Sequence, residues 1–143
     1  MTDSLTSGNS DHITLWIIED NAAFRSNLSE TLNETDRIHC ERDFSSSEEA
    51  LMYLDSSKKP PQLILVDLSL PGMSGIEGFT QIKADYPDVH CLVLTGSDKK
   101  KDVFDAICAG ASGYLLKNSG IEQILHAIDD VIEGGRITRS PCS

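Results

Sequence analysis

Glu19, Asp20, Asp67, Thr95 and Lys117 are the residues of this 143-residue chain whose types and placement could do chemistry. Each stands at the end of a short apolar run: "ITLWIIED", "LILVD", "VHCLVLT" and "GYLLK". Three carboxylates gathered in one place repel one another and favour a bound cation. All-oxygen ligands of that hardness suit Mg²⁺, which takes octahedral coordination and retains waters. Lys117 would offset part of the remaining charge and donate to an anion, and Thr95 would offer that anion a hydroxyl. A carboxylate so equipped is suited to phosphoryl transfer: Asp67 attacks phosphorus in line and becomes an acyl phosphate, with catalysis by positioning and electrostatics.

That chemistry requires an architecture that brings distant run ends together. "ITLWIIE", "QLILVD", "VHCLVLT" and "SGYLLK" are too short for helices and read as buried strands, and "IHCERDF" is a weaker strand candidate. Between them lie helical patterns. "DNAAFRSNLSETLNE" places Phe24, Leu28 and Leu32 four apart, and "GIEGFTQIKADYP" carries Ile76, Phe79, Ile82 and Tyr86 and stops before Pro87. "SSSEEALMYLDSS" opens with Ser46 and Glu49 and "SGIEQILHAIDDVIEGG" with Ser119 and Glu122, both capping-box spacings. "KKKDVFDAICAGA" is the remaining helix.

Five β-α units with continuous apolar strands argue for a parallel sheet covered on both faces. The expected fold is α/β: a flavodoxin-like (βα)5 doubly wound parallel sheet of strand order 2-1-3-4-5. Its crevice lies beyond the carboxyl ends of the strands, at the switch between the first and third. Glu19, Asp20, Asp67, Thr95 and Lys117 all fall there. The stretch "LILVDLSLPGMSGIEG" then has a definite sense. Gly72, Gly75 and Gly78 do not spell a nucleotide-binding glycine loop, and Pro71-Gly72 suits a tight turn beside the aspartate.

Together "IIED", "LILVDLSLPGMSG", "LVLTGS" and "GASGYLLK" resemble the receiver (CheY-like) domain of bacterial two-component response regulators over about residues 13–134. The resemblance implies that Asp67 is the phosphoacceptor and that Glu19, Asp20, Asp67 and the backbone carbonyl of Ser69 hold Mg²⁺. It makes Lys117 the phosphate-contacting lysine, Thr95 the switch hydroxyl and Tyr114 the aromatic switch. It implies a phosphohistidine donor on a sensor histidine kinase or phosphotransfer protein, a homodimer on phosphorylation, and no separate turnover substrate. Asn118 stands where many receivers have proline after the lysine, so a cis bond there is not expected. Without that proline the pattern is most similar to the NarL/LuxR type, whose helix-turn-helix output controls transcription. The alternative is a stand-alone or phosphorylation-independent docking receiver.

The remaining features bound this reading. Residues 1–11 are expected to be a polar tail, 12–135 the receiver, and 136–143 a tail or the start of a linker. Net charge is −11, which disfavours binding of nucleic acid by this chain itself. No signal peptide or 18-residue apolar run is present, so a cytoplasmic chain without membrane contact is expected. Cys40, Cys91, Cys108 and Cys142 form no C-x-x-C pair and are expected to be reduced thiols. Blander roles stand beside the sharp ones: Asp20 as a helix cap, Tyr114 as strand packing, and the four histidines as ordinary surface or core residues.

Overall fold

A computed structural model describes residues 12–55, 59–68, 75–96 and 100–134 of the chain. They form strands β1 (Ile13–Ile18), β2 (Ile38–Phe44), β3 (Leu63–Asp67), β4 (His90–Thr95) and β5 (Gly113–Leu116). The helices are α1 (Ala22–Asn33), α2 (Ser47–Asp55), α3 (Gly75–Asp85), α4 (Lys100–Cys108) and α5 (Ile121–Gly134). All strand pairs are parallel and the sheet order is β2-β1-β3-β4-β5. The expected doubly wound topology is the observed one.

Side chains alternate across a strand, so the sheet divides its apolar residues between two cores. Leu15, Ile17, Leu63, Leu65, Leu92 and Leu94 meet Leu28 and Leu32 of α1 and Ile124, Ile128 and Val131 of α5. Trp16, Ile18, Ile64, Val66, Cys91 and Val93 meet Ala50 and Leu54 of α2, Phe79 and Ile82 of α3, and Ala106 and Ile107 of α4. β1, β3 and β4 are central and buried almost throughout, which is why they read as unbroken apolar runs. β5 departs from expectation. Beyond Gly113 it is only half-buried, because the last strand of the sheet has one neighbour and one covered flank.

β2 is the other edge, and its weak alternation has a structural cause. The pairing with β1 slips between Leu15↔Cys40 and Trp16↔Arg42, leaving Glu41 as an extra residue. Such a bulge exchanges the faces of everything that follows it. Ile38 and Cys40 therefore belong to the α1/α5 core, whereas Phe44 joins Trp16 and Tyr53 in the opposite core, its ring centroid 5.2 Å from that of Trp16.

Helix starts follow the expected residues with two shifts of one position. Ser46 Oγ accepts from Glu49 N at 3.2 Å, while the Glu49 carboxylate accepts from Ser45 N and Oγ, both at 2.9 Å. At α5 the box is not Ser119–Glu122: Gly120 is the cap, and Gln123 Oε1 accepts from Gly120 N at 3.1 Å. Gly110, after α4, has φ +115°, a conformation that favours glycine. Among the described cysteines Cys40 and Cys91 are buried free thiols, as expected. Cys108, exposed at the end of α4, is disulfide-bonded, against the expectation that all four are reduced. No peptide bond in the described residues is cis, Lys117–Asn118 included.

Candidate functional site

Strand parity selects the side chains that meet. Glu19 continues the Leu15, Ile17 face of β1, Asp67 the Leu63, Leu65 face of β3, and Lys117 the Leu115 face of β5. All three point to the α1/α5 side of the sheet's carboxyl edge. Backbone bonds keep these ends in step: Glu19 N donates to Phe44 O at 2.9 Å, Leu68 N to Leu94 O at 2.9 Å and Lys117 N to Thr95 O at 2.8 Å.

Glu19, Asp20 and Asp67 each present a carboxylate oxygen, and these oxygens lie within 4.8 Å of one another. Glu19 and Asp67 are buried, at 0% and 2% exposure, and Asp20 is exposed. Lys117 Nζ sits 2.7 Å from Glu19 Oε1 and 3.3 Å from Asp67 Oδ2, over the face of Phe24 at 4.9 Å from the ring centroid. Glu19 Oε2 accepts from Asn21 N at 2.9 Å. Burial, with help from the Asp67 charge, pushes the Glu19 carboxyl above its usual range, although Lys117 and the Asn21 N–H pull the other way. Burial would lower the Lys117 ammonium, but its bond to Glu19 and the Asp67 charge outweigh it, and its pKa is raised.

One ammonium against three carboxylates leaves two negative charges uncompensated. That donor set fits a small, hard divalent cation: every candidate ligand is an oxygen, two are held rigidly, and the third faces solvent and leaves a way in. The blander role for Asp20 is not the observed one. Asn21 caps α1, its side chain accepting from Phe24 N at 2.9 Å, so the Asp20 carboxylate is left for other use.

Thr95 ends β4 with 1% exposure and shares the Val93 face of the sheet. Tyr114 is opposite Val93 in the β4–β5 ladder, so it lies on the same face as Thr95, half-buried against the α2–α4 core. Ser69, expected to lend its carbonyl, and the Pro71-Gly72 turn lie outside the described residues. Gly75 opens α3 directly against β3: a Cβ there would lie 2.2 Å from the Asp67 carbonyl oxygen. Gly78 has the same role a turn later in the helix, where a Cβ would meet Ser47 of α2.

Sequence reasoning misses two residues of this neighbourhood. Phe24 reads only as core, and Arg25 does not stand out. Yet Arg25 Nη1 donates to the Glu19 carbonyl oxygen at 2.7 Å, and its Nε pairs with Asp43 Oδ1 at 3.0 Å. Their position one helical turn past the acidic pair is the available signal. Among the described residues no helix is long and apolar enough to cross a membrane.

Comparison with known proteins agrees with this geometry. Residues 15–129 match the family described as response regulator receiver domain. A nitrate/nitrite response regulator protein homolog of Haemophilus influenzae is 30% identical over 124 residues, covering 87% of this chain and 59% of the relative. The transcriptional regulatory protein DegU of Brevibacillus brevis is 32% identical over 127 residues, covering 89% and 53%. The chain thus spans little more than half the length of these relatives. Among solved structures, the signal receiver domain of the putative response regulator NarL from Mycobacterium tuberculosis superposes with a TM-score of 0.79 at 22% identity, covering 87% of this chain and 98% of that one. A LuxR-family two-component response regulator from Aurantimonas sp. gives 0.79 at 24% identity, covering 92% and 91%. At these identities the two structures speak for the fold.

Proposed function

Since the chain belongs to the response regulator receiver domain family, we propose that it is a signalling switch that accepts a phosphoryl group on Asp67. The observation that carries this is the cluster itself: carboxylate oxygens of Glu19, Asp20 and Asp67 within 4.8 Å, with Lys117 Nζ 2.7 and 3.3 Å from two of them. The donor is a phosphohistidine of a sensor kinase or phosphotransfer protein. An Asp67 carboxylate oxygen forms the new P–O bond as the P–N bond breaks, and the imidazole leaves with that electron pair. A receiver of this kind modifies itself and turns over no separate substrate.

Glu19, Asp20 and Asp67 would hold Mg²⁺, with the Ser69 carbonyl as a further ligand; when bound it supplies positive charge to the oxygens of the transferring group. Lys117, already placed between Glu19 and Asp67, exchanges some of its ion pairing for the incoming oxyanion. Burial of Asp67 strengthens that attraction and excludes water from the acyl phosphate. The Thr95 hydroxyl then turns toward the new phosphoryl oxygens, and Tyr114, on the same sheet face, repacks into the space it vacates. A local charge thereby changes the surface formed by α4, β5 and α5. The output is control of transcription through a helix-turn-helix domain, with homodimerisation on phosphorylation. Nucleic acid is not bound by this negatively charged domain itself, and the reaction takes place in the cytoplasm.

Intact-mass spectrometry after incubation with acetyl phosphate and Mg²⁺ tests the proposal. One phosphoryl adduct is expected, dependent on Mg²⁺ and absent from Asp67→Asn. A wild-type protein that stays unmodified across donors and pH values would refute the phosphoacceptor role and leave a phosphorylation-independent docking receiver.

A further inference from the structure

We infer that Arg25 is a positioning residue that holds the acidic loop in the geometry needed to bind a divalent cation, an inference that rests on the metal-binding reading above. Asp20 is the exposed member of the cluster, and among the described residues its carboxylate makes no hydrogen bond or ion pair. No partner among them holds that side chain, so its placement depends on the backbone that carries it. That backbone is anchored at Glu19, whose carbonyl oxygen accepts from Arg25 Nη1 at 2.7 Å. The same guanidinium pairs through Nε with Asp43 at 3.0 Å, next to the last residue of β2. One planar, forked side chain thus ties the exits of two strands together through two donors held in a fixed geometry.

Two further features favour this role over a chance surface pair. The bulge at Glu41 exchanges the faces of β2, and only after that exchange does Asp43 pair with Ile17 on the side covered by α1. The bulge is what brings Asp43 to Arg25. Second, Arg25 stands in the first turn of α1, at the positive end of the helix dipole, where its own helix disfavours a cation and its place is set instead by the Glu19 carbonyl and the Asp43 carboxylate.

The two possible roles give opposite signs. If Arg25 acted through charge, removing it would tighten cation binding by relieving repulsion, and Arg25→Lys would behave as wild type. If it positions the loop, both Arg25→Gln and Arg25→Lys weaken binding by about tenfold, the lower end for loss of an outer-shell support. The experiment is calorimetric titration of metal-stripped full chain with Mg²⁺ for wild type, Arg25→Gln and Arg25→Lys. Circular dichroism and urea midpoints without metal report whether each variant is folded, so that lost affinity is read separately from lost structure. Weaker binding by both folded variants is the expected result. Tighter binding by Arg25→Gln, or wild-type affinity in Arg25→Lys, overturns the inference and leaves the metal site standing. No Mg²⁺ binding by wild type overturns both.

Discussion

Replacing Gly75 by Ala sets two effects against each other, and the structure says which wins. On helix propensity alone Ala is favoured over Gly by at most about 0.5–1 kcal/mol. The new Cβ, however, would lie 2.2 Å from Asp67 O, 3.1 Å from Asp67 C and 3.3 Å from Leu68 Cα. The first distance is more than an ångström short of the 3.4 Å at which ordinary contact begins. All three atoms are backbone, and they cannot retreat: Asp67 ends the central strand β3, and Leu68 N is bonded to Leu94 O at 2.9 Å. α3 must move instead, and overpacking of this kind costs about 1–3 kcal/mol, more than the propensity gain. A net loss of about 1–2 kcal/mol is expected from urea denaturation, as a lower midpoint at unchanged slope. Because the strain falls on the peptide of the proposed phosphoacceptor, labelling of Asp67 by acetyl phosphate should slow by about a hundredfold, the usual consequence of misplacing a reacting group by an ångström. Gly96→Ala is the control, since among the described residues its Cβ would meet only Lys117 Cδ, at 3.9 Å; its stability should stay within about 0.5 kcal/mol of wild type. A Gly75→Ala protein as stable as wild type and labelled at the same rate would refute the argument, and with it the idea that this glycine lets α3 start against Asp67.

Three other perturbations test separate features of the structure. Lys117→Met leaves Glu19 and Asp67 buried without their ammonium; with EDTA present, a loss of about 2–3 kcal/mol is expected, below the full cost of a broken buried pair because Lys117 is partly exposed. Added Mg²⁺ should restore some of that loss in urea denaturation, and an unchanged midpoint without metal would mean the pair is screened. His90, half-buried with Ser112 Oγ 3.5 Å from Nδ1, has its pKa lowered from 6.5 by burial and then by Lys83, with Asp88 opposing. The unfolded chain takes up that proton first, so stability should hold above about pH 6.5 and decline as pH falls below it, until the folded-state value is passed. His90→Gln should flatten this decline in midpoints measured across that window. Ser47 is fully buried with its hydroxyl unpartnered, so Ser47→Ala should be neutral or stabilising by up to about 1 kcal/mol in the same assay.

The fold and the core of the candidate site were legible because both depend on local pattern. Central parallel strands are apolar throughout, so β1, β3 and β4 announced themselves, and the polar residue that ends each run marked the crevice. What the sequence concealed depends on relations between elements. "SGYLLK" is as apolar as the central strands, and only its place at the end of the sheet makes it half-exposed. Asp20 and Asn21 are both good caps, as Ser119 and Gly120 are both acceptable ones. Which residue serves, Asn21 and Gly120 here, is a property of the assembled structure and not of the local pattern.

Arg25 shows the same limit at the site itself. Its partner Asp43 lies 18 residues away, and the pairing exists only because one extra residue in β2 reverses the strand's faces. Alternation read along "IHCERDF" places Asp43 on the wrong side. The charge that suits a cation can therefore be read from residue types at strand ends. The geometry that brings three such carboxylates within 4.8 Å of one another cannot, because around it lie relations between elements: a bulge, a glycine against a carbonyl and an arginine between two strands.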